Sequence, residues 1–212
     1  MFSRRESKNV GREEYKLGIE RHMKQKYSKA EQLLRQSAQQ REKVLGAKHK
    51  DTLKSKYWLA ITLYELQKYA EAEQLLQQSI QQRENVLGAE HEDTLKSKYW
   101  LAVTLYELQK YAEAEQLLHQ SIQQREKVLG AEHEDTLKSK LLLQEVLLAI
   151  APPVSMNTTV ETVASHLGDF FVEGKGGSET KTAPLESDDD EMILSDVQLF
   201  SSRPGAKSER YA

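Results

Sequence analysis

Apolar side chains recur through residues 12–150 at steps of three and four positions, the spacing that places them on one face of a helix. Residues 93–109 show this pattern clearly, with apolar side chains at Leu95, Tyr99, Ala102, Leu105, Tyr106 and Leu108. After a connection of two residues, residues 112–129 carry a second helical pattern. Neither stretch shows the strict alternation that predicts a strand. The pattern therefore predicts two consecutive helices.

This pair of helical patterns repeats with a period of 42 residues. Residues 26–67 match residues 68–109 at 34 of 42 positions, and residues 68–98 match residues 110–140 at 29 of 31. A fixed period of roughly 20–50 residues is typical of solenoids, propellers and arrays. Because each period holds two helices and no strand, it predicts tandem antiparallel helix pairs and excludes a β-propeller.

The period sets the expected organisation of the chain. We expect a flexible N-terminus over residues 1–11 and a repeat array over residues 12–151. Residues 152–212 lose the period and predict a largely disordered acidic tail. Within the array the helices are expected at about 12–25 with 28–45, 51–67 with 70–87, and 93–109 with 112–129. These give pairs at about 12–46, 51–88 and 93–130, followed by a lone helix at 135–150.

Capping residues, glycines and small residues stand at the ends and at the expected crossings of the predicted helices. Asp93 or Thr94 is expected to cap the first helix of its pair by accepting a backbone N–H bond. A glycine follows the second helix of each pair, where a left-handed cap is needed; these are Gly46, Gly88 and Gly130. Small residues stand where two helices must cross closely, namely Gly18, Ala60 and Ala102 in the first helices and Ala30, Ala72 and Ala114 in the second.

The lone last helix is unusually apolar. Terminal repeats normally present a polar outer face, but here the helix contains Leu141, Leu142, Leu143, Val146, Leu147, Leu148 and Ile150. Three interpretations stay open: the helix packs on the tail, it mediates self-association, or the chain is shorter than its ancestor. Pro152 and Pro153 end the helix.

Composition narrows the classes of protein. All four prolines follow residue 151, and the chain has no cysteine, which excludes disulfides and a cysteine nucleophile. Net charge is -3, distributed as +8 over residues 1–50, -5 over 51–151 and -6 over 152–212. We interpret the basic start as solvated helix faces in preference to a nucleic-acid site. With no apolar run long enough to span a membrane and no secretory signal, we predict a soluble cytoplasmic protein.

No group of side chains in the sequence has the spacing of a catalytic or metal-binding site. His49, His91 and His133 recur once per period. In a stack of repeats they stand one repeat apart, too far to share a metal ion at bond lengths of roughly 2.0–2.1 Å. A capping or loop-packing role is the better interpretation. We expect no catalytic residue, no metal and no cofactor, so the chain is not predicted to be an enzyme.

The recurring residues carry a resemblance to a known family. A small residue after leucine in the first helix (17–18, 59–60 and 101–102) precedes a Tyr-x-x-Ala opening of the second helix, which resembles the tetratricopeptide repeat. The segments Val86 to Leu95 and Val128 to Leu137 resemble, more specifically, kinesin light chain-type repeats. The resemblance implies an all-α fold, a right-handed α-solenoid of antiparallel helix pairs.

In this family the first helices of the pairs line a concave groove that holds a peptide. Carried onto this chain, the resemblance implies a groove lined by Lys54, Tyr57, Ile61, Tyr64, Glu65, Lys96, Tyr99, Val103, Tyr106, Glu107 and Lys138. Lysines beside tyrosines favour an acidic partner segment with aromatic side chains. We therefore predict a scaffold for protein–protein interaction. The alternative is a self-associating array, with a second copy of the chain as partner, that uses the terminal helix 135–150.

Overall fold

The computed structural model describes residues 9–151; residues 1–8 and 152–212, with the predicted tail, lie outside the described part. Within residues 9–151 seven complete helices follow one another and no strand is present. They are α1 (Arg12–Met23), α2 (Tyr27–Leu45), α3 (Lys50–Glu65), α4 (Tyr69–Val86), α5 (Glu92–Glu107), α6 (Tyr111–Val128) and α7 (Glu134–Ile150). The predicted all-α fold is thereby confirmed. No helix in this part of the chain is both long enough and apolar enough to cross a membrane.

The helices pack as a linear array. Each helix packs against its neighbours in the chain, so α1 with α2, α3 with α4, and α5 with α6 form three repeats. We call the first helix of each repeat, and α7, the A helices, and α2, α4 and α6 the B helices. Successive A helices also approach one another with several Cα atoms within 8 Å, whereas no two B helices do so to that extent. The A helices therefore lie on the inner side of the array.

The turn from A helix to B helix depends on a residue that the sequence did not single out. Gln25, Gln67 and Gln109 have φ angles of 55°, 60° and 59°, in the left-handed region. In repeat 2, the Gln67 N–H donates to the Tyr64 carbonyl at 2.8 Å and the Lys68 N–H donates to the Leu63 carbonyl at 2.9 Å. This pair of bonds is a Schellman motif, which satisfies carbonyls at the end of the helix. The left-handed residue also explains why α3 ends at Glu65, two residues before the predicted end.

The turn from B helix to the next A helix is built from glycine and histidine. Gly46, Gly88 and Gly130 have φ angles of 95°, 103° and 100°, so the expected positive φ is confirmed. The expected cap at Asp93 or Thr94 is wrong, because His91 is the N-cap and accepts the Asp93 N–H at 3.1 Å. The Thr94 hydroxyl instead donates to the Gly88 carbonyl at 2.9 Å and ties the turn together.

Small residues allow the paired helices to approach closely. The alanines predicted for this role, Ala30, Ala60, Ala72, Ala102 and Ala114, are all fully buried. Gly18 takes the same place in repeat 1, where an added Cβ would lie 2.7 Å from Cγ of Leu34. Real Cβ atoms do not come so close to a neighbour, so α1 and α2 pack at a separation that requires glycine unless Leu34 shifts.

Candidate partner-binding surface

The inner face of the array exposes part of the predicted groove. Its half-exposed side chains are Lys54, Tyr57, Tyr64, Glu65, Lys96, Tyr106, Glu107 and Lys138. Because the A helices are stacked side by side, equivalent residues of successive repeats stand in rows. One row is basic and lies in the first half of each A helix. A second row, of tyrosine and glutamate, lies about 16 Å away at the other end, given a rise of roughly 1.5 Å per residue.

Three of the predicted groove residues are not at the surface. Ile61, Tyr99 and Val103 are only 1%, 7% and 3% exposed. A ligand needs surface to contact, so these side chains support the wall of the groove and do not line it. Ile61, Tyr99 and Val103 belong to the interior of the array, and the groove itself stays a prediction. The candidate surface is therefore narrower than the sequence predicted.

Buried arginines stack on Tyr57 and Tyr99, the tyrosines in the middle of α3 and α5. The Arg83 guanidinium lies 5.1 Å from the centre of the Tyr57 ring, and Arg125 lies 5.5 Å from that of Tyr99. Each guanidinium also donates to the backbone of two A helices; Arg83 reaches the Asp93 carbonyl at 2.6 Å and the Leu53 carbonyl at 3.3 Å. A cation stacked on an aromatic face and bonded on both sides is tightly positioned. These arginines therefore link successive repeats and position the tyrosine rings.

The second row links successive A helices at their carboxyl ends. The Tyr64 hydroxyl donates to the Glu107 carboxylate at 3.2 Å, and the Tyr64 ring lies 5.5 Å from that of Trp100, edge to face. Tyr27, the first residue of the B helix α2, hydrogen-bonds Glu65 at the end of α3. Burial raises the pKa of Glu65, while the bond from Tyr27 opposes that rise. This end of the groove is acidic, aromatic and internally bonded.

The basic row is partly neutralised by its own helices. Lys96 pairs with Glu92 at 2.7 Å, and Lys138 pairs with Glu134 at 3.0 Å. The residue one turn before Lys54 is Lys50, where α5 and α7 have glutamate. The ion pairs with Glu92 and Glu134 therefore offset part of the positive charge of the row on α5 and α7.

His22 occupies the position equivalent to Tyr64, and sequence reasoning missed its role. It is 1% exposed; its Nδ1 lies 2.9 Å from the Thr62 hydroxyl, and its Nε2 has no hydrogen-bond partner among the described residues. Burial lowers the pKa of His22 to about 4. The 42-residue period was the available signal, since it aligns this histidine with residues that face the next A helix.

Three histidines act as helix caps. His49, His91 and His133 each accept the backbone N–H two residues ahead, at 3.2, 3.1 and 3.1 Å. Their predicted capping role is confirmed. In residues 9–151, no three His, Asp or Glu side chains are grouped closely enough to hold a metal ion.

Comparisons with known proteins agree with this geometry. Residues 15–85 match one tetratricopeptide repeat family model and residues 94–135 match another, together more than half of the chain. No curated protein sequence matches.

Solved structures give the same result. Two crystal structures of nearly identical TPR-like repeats from a kinesin light chain-like protein of Podosopora anserina are each 27% identical to this chain. They cover 68% of it, with TM-scores of 0.62 and 0.61. This chain spans 66% and 67% of their lengths. BtubC (BKLC) from P. vanneervenii is 11% identical to this chain, with a TM-score of 0.64. The match covers 85% of this chain and 72% of the BtubC chain. At that identity the likeness concerns the fold alone.

Proposed function

Because the chain belongs to the tetratricopeptide repeat family, with kinesin light chain-like repeats, we propose that it binds a peptide segment of a partner protein along its A helices. Arrays of this kind serve as scaffolds for protein–protein interaction, and their stacked repeats create extended concave surfaces. The proposal includes no catalytic step and no cofactor. Cytoplasmic location remains a prediction.

One observation carries the proposal. Half-exposed lysines and tyrosines recur on the inner side of successive repeats, with Lys54 and Tyr57 on α3 and Lys96 on α5. Lysine attracts an acidic segment over a distance, and tyrosine supplies contact area at a small entropic cost. The tyrosines are already held by arginines, so binding orders few side chains and more of the contact energy appears as affinity. We therefore propose a partner segment that is acidic and contains aromatic side chains.

The test is a peptide-display selection on the full chain, followed by affinity measurements on the enriched peptides. We expect the enriched sequences to be acidic and aromatic. The double variant Lys54→Glu/Lys96→Glu should bind them about tenfold more weakly, because each reversed charge changes the binding free energy by about 0.5–1 kcal/mol.

The matched control reverses two lysines on the outer side. Lys43 and Lys127 are exposed on α2 and α6, so Lys43→Glu/Lys127→Glu makes the same change in net charge away from the groove. It should leave affinity within about twofold. Enrichment of basic peptides, or equal weakening by both double variants, would overturn groove binding.

The self-associating array remains the alternative function. It requires an apolar surface that a second copy can reach, and Leu141 and Leu148 on α7 are 61% and 69% exposed. This exposure supports the alternative. Leu141 and Leu148 stand 42 residues after Tyr99 and Tyr106, so a second copy bound there would lie at the α7 end of the groove.

A further inference from the structure

The last helix begins with the sequence of an A helix but lacks its cover. Leu95 in α5 is 1% exposed, whereas its equivalent in α7, Leu137, is 40% exposed. Leu105 is 3% exposed and its equivalent, Leu147, is 44% exposed. In repeat 3 the B helix α6 and the next A helix α7 both pack against α5. In residues 9–151 neither a B helix nor another A helix follows α7, so the equivalent face of α7 is open.

This face has the residue spacing of a helix that pairs with another helix. Leu137, Leu141, Gln144 and Leu148 stand at steps of four, three and four residues, and the three leucines are 40%, 61% and 69% exposed. A stripe of this spacing is the seam of a coiled-coil pair. We call these four residues the α7 seam.

We propose that the α7 seam docks on the same seam of a second copy of this chain, in a parallel two-fold dimer. The inference rests on the alternative function and gives it a defined interface at the α7 end of the array. A two-fold interface requires one surface that is complementary to itself. The leucines meet this requirement, since each would lie against its own counterpart in the other copy.

Charge complementarity favours the parallel orientation. Lys140 and Glu145 flank the seam on opposite sides, five residues apart. In parallel coiled coils, flanking residues at this separation lie next to each other across the interface. Lys140 of one copy therefore meets Glu145 of the other, twice per dimer. Lys140 also pairs with Glu126 of its own chain at 2.8 Å, at a site that leaves its side chain 37% exposed.

The small size of the α7 seam predicts a weak dimer. Two facing stripes of about three helical turns fall at or below the roughly 1,200 Å² that marks the low end of specific interfaces. The dimer should therefore be reversible, with dissociation at micromolar or higher concentrations.

Sedimentation of the full chain across a concentration series tests the proposal. The wild type should shift from monomer to dimer as concentration rises, and Leu141→Glu/Leu148→Glu should remain monomeric at the highest concentration. Val86→Glu/Val128→Glu is the matched control, because these valines are 47% and 46% exposed at the ends of B helices. It should dimerise as the wild type does. Circular dichroism confirms that all three chains are folded.

Cross-linking tests the orientation directly. The chain has no native cysteine, so Leu141→Cys should form a disulfide-linked dimer under mild oxidation, and Val128→Cys should not. Dimerisation without this cross-link would overturn the parallel orientation. A wild type that stays monomeric, because another part of its chain or nothing covers the seam, would overturn the dimer. Peptide affinities of the wild type and of Lys54→Glu/Lys96→Glu, measured in parallel, separate this failure from a failure of groove binding.

Discussion

Two leucines with the same local sequence allow a clean measurement of what the neighbouring helix contributes. Residues 92–98 and 134–140 are identical heptapeptides, and each forms the start of an A helix. Leu95 in the first is 1% exposed, and Leu137 in the second is 40% exposed. The perturbation is Leu→Ala at each site in turn. Helix propensity and the unfolded chain change equally in both variants, so their difference reports tertiary packing alone.

The structure sets the expected magnitudes. At Leu95 the substitution removes buried methyl groups and leaves a cavity, which lowers the free energy of unfolding by about 2–5 kcal/mol. At Leu137 water can enter the vacated space, so the cavity contribution vanishes and only part of the transfer free energy is lost. We expect a loss of about 1 kcal/mol there, since full burial of leucine contributes about 1.5–3 kcal/mol. Leu95→Ala should therefore be less stable than Leu137→Ala by about 1–4 kcal/mol.

The assay is guanidinium unfolding at low protein concentration, where the chain is monomeric. Helix loss is followed by circular dichroism and local unfolding by the fluorescence of Trp58 and Trp100, the only tryptophans in the chain. Coincident transitions allow one free energy of unfolding per variant. Equal destabilisation by the two substitutions would refute the reasoning, because it would mean that Leu137 is covered as Leu95 is.

The remaining predictions concern backbone strain and pH. Gln67→Gly should raise the free energy of unfolding by about 0.5–1 kcal/mol, because glycine adopts the left-handed conformation without a steric penalty. Gly88→Ala, at a φ of 103°, should lower it by about 1–3 kcal/mol. Both follow from guanidinium midpoints; stabilisation by Gly88→Ala would contradict the φ assignment. His22 has its pKa lowered to about 4 in the folded chain, so between that value and about 6.5 the unfolded chain binds more protons and stability falls as pH falls. From pH 7 to pH 5 this loss should be about 2 kcal/mol, and His22→Tyr should remove it; an unchanged pH dependence would show that His22 is not the group responsible.

Local pattern alone determined the helices and their order. The steps of three and four residues, the absence of proline before residue 152 and the repetition every 42 residues predict helix pairs without reference to any contact. The turns were predicted less well. Gly88 was recognisable because glycine is the usual residue at a positive φ, whereas Gln67 carries no such signal and is held in that conformation by the helices on either side.

The residue pattern alone was not sufficient to predict which side chains form the candidate surface. Lys54 and Tyr57 lie half-exposed on the inner face, as the resemblance implied, but Ile61 on the same stripe is buried. The spacing of residues in a helix predicts the direction in which each side chain points from the helix axis. It does not predict how close the next helix comes. Likewise the period shows that Arg83 recurs as Arg41 and Arg125. Only its distances to Tyr57 and to the backbones of two A helices show that it links repeats.

The sequence by itself determined that residues 12–150 form amphipathic helices in register, because periodicity and helix propensity are local properties. Only the tertiary structure decided which faces are covered, because burial depends on a neighbour that can be distant in sequence or missing. The heptapeptide shared by α5 and α7 is one sequence in one conformation, with its leucine buried in α5 and open in α7. In the described part of the chain α6 and α7 follow α5 and pack against it, whereas no equivalent pair follows α7.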